Sequence, residues 1–220
     1  MIDFIYNIIN NNLKTYIFFI LINIFCFFVF RFLSFKFNLL DIPNYRKLHN
    51  GPVPLVGGLI IFCSLLYVFF TFDLPNWLSI IYLSSLLIVL FGFLDDKFQI
   101  SVTIRIFVQI IASLLVISSG LYIIDLGSYL NFNNLEVGFL GLILTLLCII
   151  GLTNAINFID GIDGLSSSIS LISLFSILFY SNQTGDLVIY EFILFIIFSL
   201  IIFLFSNLKI LLPQIFLGDS

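Results

Sequence analysis

The chain has few charged side chains: only 9% of its 220 residues are Asp, Glu, Lys or Arg, whereas 61% are hydrophobic. Soluble domains carry about 25% charged residues, so this composition excludes an ordinary soluble fold. The net charge of −4 at pH 7 argues against nucleic acid as a partner. Histidine occurs once, and the three cysteines lie inside apolar runs, so we expect neither a zinc site nor a disulfide framework.

Long apolar runs account for most of the sequence. A helix needs about 20 apolar residues to cross the hydrocarbon core of a bilayer, and its backbone groups are then satisfied within the helix. We therefore predict an all-α, polytopic transmembrane protein that forms one integral membrane domain over residues 1–220. The first span has no cleavage-site pattern, so we expect it to be retained. The predicted spans are 16–35, 55–72, 77–94, 104–124, 137–156, 165–181 and 188–206.

The connections between these spans alternate in charge. Lys and Arg follow the odd-numbered spans, whereas the other connections contain Asp and Glu without Lys or Arg. Because cytoplasmic loops are enriched in Lys and Arg, we predict that the N-terminus is outside and the C-terminus cytoplasmic. The polar clusters of the chain then share the cytoplasmic face. The predicted cytoplasmic loops are 36–54, 95–103, 157–164 and 207–220.

Two adjacent acids, Asp95 and Asp96, close the third span. They could belong to a helix-end loop or cap the fourth span, but Ser101 is better placed for capping. Acids at the C-terminal end of a helix also oppose its dipole. The pair therefore indicates a site that holds a cation or takes a proton.

Polar residues recur every three positions in NAINFIDGID, at the end of the fifth span. A continuous helix would line them up as one polar stripe, whereas a break at Gly161 or Gly164 would free backbone amides for a ligand. Asp163 could instead cap the sixth span, although that would explain only one of the acids. The residues of this series are Asn154, Asn157, Asp160 and Asp163.

Two further segments complete the predicted polar face. The loop PNYRKLHNGPVPLVGG contains Arg46, Lys47 and His49, which suit either a membrane anchor or a phosphate-bearing ligand. FLGDS adds Asp219 near the end of the chain. Five carboxylates on one face, with oxygen ligands only, favour Mg²⁺ or Mn²⁺. Phosphate chemistry and ion transport both stay open at this point.

Four segments in this order, RKLHNGPVPLVGG, GFLDDKFQIS, NAINFIDGIDGL and FLGDS, resemble the polyprenyl-phosphate N-acetylhexosamine-1-phosphate transferases. The resemblance covers about Asp41 to Ser220, and it favours the N-acetylglucosamine branch over the muramoyl-pentapeptide branch. It implies an enzyme that transfers N-acetylglucosamine 1-phosphate from UDP-N-acetylglucosamine to undecaprenyl phosphate. UMP would leave, and lipid-linked surface polysaccharide synthesis would start at the cytoplasmic face of the inner (plasma) membrane.

The resemblance also implies roles for individual residues. Asp95 would be the base or nucleophile toward the lipid phosphate, and Asp96 would support it or the metal. Asp219 would bind Mg²⁺ or Mn²⁺. The residues expected on the nucleotide-sugar side are Asn157, Asp160, Asp163, Lys47 and His49.

The chain departs from the family in one respect. Family members continue with further spans and a histidine-rich cytoplasmic loop, whereas this sequence has a single histidine. We therefore expect it to be the N-terminal part of a longer transferase architecture. Three alternatives stay open: another UDP-sugar such as UDP-N-acetylmuramoyl-pentapeptide, an inactive truncated remnant, or a cation transporter with carboxylates near the bilayer midplane.

Overall fold

The computed structural model describes residues 2–43, 51–127 and 135–219, with side chains from Leu13 onward. Within these ranges the chain is mostly helical, and one short antiparallel sheet pairs β1 (Leu40–Asp41) with β2 (Val53–Pro54). The helices are α1 (Ile2–Phe37), α2 (Gly57–Thr71), α3 (Asn76–Phe98), α4 (Val102–Ser118), α5 (Leu140–Ile159), α6 (Leu165–Thr184) and α7 (Leu187–Asn207).

Each predicted span corresponds to one helix, as expected of a polytopic membrane protein. Five helices are long and apolar enough to cross a membrane: α1 over Leu13–Phe37, α3, α5, α6 and α7. The apolar helices α2 and α4 have 15 and 17 residues, fewer than the roughly 20 that a perpendicular crossing requires. Whether they also cross, and which end of the bundle is cytoplasmic, stay predictions.

The helix ends differ from the hydropathy boundaries. Helix α3 continues through Phe98, so Asp95 and Asp96 lie in its last turns rather than in a loop. It stops where Gln99 takes a left-handed conformation with φ of 52°. Helix α4 ends at Ser118, six residues before the predicted 124, because the chain turns at Gly120 with φ of +88°. Local backbone conformation, rather than loss of apolar character, sets both ends.

The largest buried hydrophobic cluster of the described residues lies between α1, α2, α3 and α7. Its buried side chains are mainly aromatic and aliphatic, and further apolar residues pack around them. A smaller cluster joins α1, α2 and α7 to the segment that follows α7. The members of the larger cluster are Tyr16, Phe19, Phe62, Leu65, Val68, Leu78, Tyr82, Val89 and Phe195.

The terminal segment, residues 208–219, folds back against the start of α2. The N–H of Gly57 donates to the carbonyl of Phe216 at 2.9 Å. A Cβ atom on Gly57 would lie 2.6 Å from the Phe203 ring and 2.8 Å from Cα of Leu217. The close approach therefore requires glycine at this position, and it fixes where the terminal segment lies.

Candidate active site

Three carboxylates meet where the end of α3, the first turn of α4 and the terminal segment come together. The N–H of Asp219 donates to both carboxylate oxygens of Asp96, at 3.0 and 3.1 Å. Asp95 precedes Asp96 on α3, and Arg105 of α4 contacts its carboxylate. The same Arg105 nitrogen, Nη2, lies 3.3 Å from Oδ2 of Asp219. We refer to Asp95, Asp96 and Asp219 as the carboxylate cluster.

The backbone around the carboxylate cluster is shaped for this approach. Gly218 has φ of +79°, and a Cβ atom there would lie 2.6 Å from Oδ2 of Asp96. On the other side, Oδ1 of the buried Asp95 accepts the N–H of Ile100 at 2.7 Å. Ser101 occupies the N-cap position of α4, as predicted, but its side chain makes no capping bond within the described structure. Asp95 therefore ties α3 to the α3–α4 turn.

A pocket opens beside the carboxylate cluster between α3, α4 and α5. Its polar end contains Asp95, Arg105 and Asp219, together with Asn157 of α5. Nδ2 of Asn157 lies 3.4 Å from Oδ1 of Asp219. The rest of its lining is largely apolar and includes Ile88, Phe91, Gly92 and Val108. The arrangement offers charged groups at one end and apolar walls along α3 and α4.

A pair of amide side chains fixes α4 against α5 at the edge of this pocket. Nδ2 of Asn154 donates to Oε1 of Gln109 at 2.8 Å, and Nε2 of Gln109 lies 3.4 Å from Oδ1 of Asn154. Gln109 is buried, so this pairing satisfies polar groups that would otherwise be unfavourable in an apolar environment. The pair therefore sets the register between the helices that carry Arg105 and Asn157.

The other two predicted acids contact the terminal segment from a different side. Asp160, at the C-cap of α5, accepts hydrogen bonds from the hydroxyl of Ser166 and from the N–H of Leu217. Burial raises the pKa of Asp160, and these two hydrogen bonds oppose that rise. Oδ2 of Asp163 accepts from Nε2 of Gln214 at 3.3 Å. Both acids therefore position the segment that ends in Asp219.

The polar stripe is interrupted, because α5 ends at Ile159 and α6 begins at Leu165. Gly164, rather than Asp163, is the N-cap of α6, with φ of +77°. Its N–H donates to Oδ1 of the buried Asn207, whose Nδ2 donates to the carbonyl of Ile215 at 3.1 Å. The Gly164 amide is thus used to hold the fold together.

The structure brings Asp95, Asp96, Asn157 and Asp219 together, and it links Asp160 and Asp163 to them through the terminal segment. Lys47 and His49 lie outside the described residues. Sequence reasoning assigned no site role to Arg105, Gln109 or Asn207. The available signal was their polarity: Arg105 and Gln109 lie inside a predicted span, and Asn207 directly follows one.

The donor chemistry of the carboxylate cluster suits a hard divalent cation, because carboxylate and amide oxygens are what Mg²⁺ and Mn²⁺ prefer. However, among the described residues no group of three or more His, Cys, Asp or Glu side chains is arranged to hold a metal ion. Arg105 supplies the positive charge between Asp95 and Asp219 instead. The residues thus fit a metal by their chemistry, while a guanidinium contacts Asp95 and the expected metal ligand Asp219.

Comparison with known proteins identifies the family. Residues 77–220 match the model for glycosyl transferase family 4. A Pasteurella multocida relative is 40% identical over 116 residues, 50% of this chain and 31% of that protein. A Yersinia pestis relative is 36% identical over 125 residues, 56% of this chain and 34% of that protein. An Escherichia coli K12 relative is 34% identical over 133 residues, 60% of this chain and 36% of that protein.

All three relatives carry the name undecaprenyl-phosphate alpha-N-acetylglucosaminyl 1-phosphate transferase. The chain spans about one third of the length of these curated relatives. The family match nevertheless covers more than half of the chain and includes the whole carboxylate cluster. The chain therefore belongs to glycosyl transferase family 4.

Proposed function

We propose that this chain transfers N-acetylglucosamine 1-phosphate from UDP-N-acetylglucosamine to undecaprenyl phosphate and releases UMP. The reaction would start lipid-linked polysaccharide synthesis at the cytoplasmic face of the inner membrane. Family membership and the names of the relatives support the reaction class. The observation that carries the proposal is the carboxylate cluster, with Arg105, at the polar end of a pocket with largely apolar walls.

The reaction joins two anions, so the first requirement is neutralisation of charge. An oxygen of the lipid phosphate attacks the phosphorus that carries the sugar, and the bond from that phosphorus to the UMP oxygen breaks. When bound, Mg²⁺ or Mn²⁺ would be held by Asp219 and Asp96 and would neutralise charge on the diphosphate. The role proposed for Asp95 is that of base or nucleophile toward the lipid phosphate.

The proposed nucleotide-sugar residues are Asn157, Asp160 and Asp163, together with Lys47 and His49. The contact between Asn157 and Asp219 supports this assignment, because the Asn157 amide lies beside the proposed metal ligand. Asp160 and Asp163 border the same terminal segment. Positioning of the two substrates would be the main contribution of these groups.

Radiolabel transfer tests the proposal directly. Membranes that contain the chain are supplied with undecaprenyl phosphate, Mg²⁺ and labelled UDP-N-acetylglucosamine. We expect label in the lipid extract and one UMP released for each lipid-linked sugar. A parallel reaction with labelled UDP-N-acetylmuramoyl-pentapeptide should leave the lipid unlabelled. Label from the second donor only would indicate the other branch, and no labelled lipid from either donor would contradict the proposed activity of this chain.

The position of the acids argues against the transport alternative. A cation pathway requires carboxylates near the bilayer midplane, whereas Asp95 and Asp96 lie in the last turns of α3 and Asp160 lies at the end of α5. Vesicles that contain the chain should therefore show no Mg²⁺ flux above protein-free vesicles.

A further inference from the structure

We propose that Arg105 is a built-in counter-ion, which offsets the negative charge of Asp95 and Asp219 and has to leave when a divalent cation binds. The inference rests on the proposed function, because it takes Asp96 and Asp219 as the metal ligands. It goes further than the proposed function because it assigns Arg105 a role that opposes metal binding: the guanidinium competes with the metal.

The first supporting observation is the way in which one nitrogen bridges two acids. Nη2 of Arg105 contacts Asp95 on α3 and lies 3.3 Å from Asp219 on the terminal segment. Without a cation, the acids of the cluster would repel one another. The guanidinium therefore provides the charge that holds two separate elements together, which is also what a bound metal would do.

The second observation is that the contact is poorly matched to a guanidinium. Arginine binds a carboxylate most firmly through two parallel N–H donors, whereas here Nη2 serves both acids. The buried Nε–H of Arg105 has no hydrogen-bond partner among the described residues. The Arg105 side chain is also 33% exposed, so it has room to turn out of the cluster.

The third observation concerns the metal site itself. The described residues contain no group of three or more acids, His or Cys arranged to hold a metal ion, so the carboxylate cluster has to rearrange before a cation can bind. A permanent structural ion pair and a displaceable counter-ion then predict opposite results. Removal of a structural ion pair would disorganise the acids and weaken metal binding, whereas removal of a counter-ion would strengthen it.

Manganese titration separates the two roles. The 220-residue chain and its Arg105→Gln variant are purified in detergent, and free Mn²⁺ is measured by electron paramagnetic resonance without UDP-sugar or lipid. We expect the dissociation constant for Mn²⁺ to be at least about ten-fold lower in Arg105→Gln, because a competing positive charge next to two acids is removed. An equal or higher dissociation constant in a monodisperse variant overturns the inference.

A matched control removes one positive charge from the last turn of α3, two residues from Asp95. Nζ of Lys97 lies over the rings of Phe37 and Phe98, at 5.7 and 5.5 Å, and within the described structure it forms no ion pair with an acid. Lys97→Gln should change the dissociation constant by less than about two-fold. An equal gain in this variant would mean that general charge, and not the position of Arg105, governs metal affinity.

Two further variants complete the test. Adding Asp219→Asn to Arg105→Gln should remove the gain, because a proposed ligand is lost. Arg105→Lys keeps the charge on a single ammonium that cannot bridge the acids in the same way, so we expect an intermediate gain of about three-fold. If Arg105→Gln does not fold, Arg105→Lys replaces it in the titration. An unchanged Mn²⁺ affinity in Arg105→Lys would then overturn the inference.

The titration does not depend on turnover, so the two proposals can fail separately. A gain in Mn²⁺ affinity without any sugar transfer would contradict only the proposed function. Sugar transfer with unchanged Mn²⁺ affinity in Arg105→Gln would contradict only the role given to Arg105.

Discussion

The two ends of the helices are built differently. At one end, where α3, α5 and α7 finish, side chains bind groups that lie far away in the sequence: Asp96 accepts the N–H of Asp219, Asp160 accepts the N–H of Leu217, and Arg105 contacts Asp219 as well as the nearer Asp95. We call this the site end. At the opposite end, the turn end, polar contacts of the described residues are mainly local, within a turn or between neighbouring segments.

The turn end shows what chain reversal alone requires. Asp186 caps α7 by accepting the N–H of Ile189 at 3.1 Å, and Asp125 accepts the N–H of Gly127 at 2.9 Å. Each bond joins residues two or three positions apart. The long-range network of the site end is unnecessary for reversing the chain, so we attribute it to the assembly of a site. The following predictions test this difference.

The largest effect is expected from Asp219→Asn at the site end. This change removes one carboxylate from the carboxylate cluster, and we expect transfer to fall by at least about 1,000-fold. The measurement is labelled lipid formed per minute in membranes with equal amounts of inserted protein. Asp73→Asn, at an exposed position in the connection between α2 and α3, is the matched control and should keep the original rate. Unchanged turnover in Asp219→Asn would remove Asp219 from its assigned role.

A smaller effect is expected where the terminal segment contacts α2. In Gly57→Ala, the added methyl would meet Cα of Leu217 at 2.8 Å, so the segment that carries Asp219 must shift. A displacement of about 1 Å at a catalytic group can cost about 100-fold in rate, and we expect a loss of that order.

Gly151→Ala in α5 is the control for Gly57→Ala, since no heavy atom of the described structure lies within 4 Å of its added methyl, apart from the neighbouring residues and backbone of its own helix. It should keep the rate and raise stability by about 0.5–1 kcal/mol, because alanine favours the helix. Equal losses in both variants would mean that small glycine changes harm the protein regardless of where the terminal segment lies.

Hydropathy predicted the helices, and the alternating charge of the connections predicted that the acids of the site end would share one face. Apolar runs have to be helical in lipid, and isolated acids among them are too unfavourable to be incidental. Helix ends were predicted less well. Those of α3 and α4 depend on left-handed backbone at Gln99 and at Gly120, which hydropathy does not register.

The roles of Arg105 and Asn207 could not be predicted from spacing. The rule that cytoplasmic loops are enriched in Lys and Arg treats Arg105 only as one more basic residue. Its partners lie on α3 and on the terminal segment. Asn207 follows an apolar run, and its partners are backbone groups of Gly164 and Ile215. Only the folded chain brings these partners together. The metal, the sugar and the contributions of Lys47 and His49 stay predictions.

Asn207→Ala should have a moderate effect and would sharpen the comparison between the ends. The buried Asn207 side chain joins the α5–α6 connection to the terminal segment through two hydrogen bonds. Its loss leaves the Gly164 N–H and the Ile215 carbonyl unpaired, which costs about 1–3 kcal/mol. We expect a lower unfolding temperature in detergent together with a roughly ten-fold slower transfer, because the same contact positions the site. A stable variant with full activity would show that this contact is dispensable for the site end.

The smallest effect on transfer is expected from Asp186→Ala at the turn end. This change removes the N-cap of α7, whose side chain accepts the N–H of Ile189, and such a loss costs about 0.5–2 kcal/mol. Thermal unfolding should register that cost, whereas the transfer rate at a temperature well below unfolding should stay within about two-fold of the original. Asn207→Ala and Asp186→Ala thus remove similar amounts of stability from opposite ends. If both slowed transfer equally, activity would follow overall stability, and the long-range contacts at the site end would have no special part in catalysis.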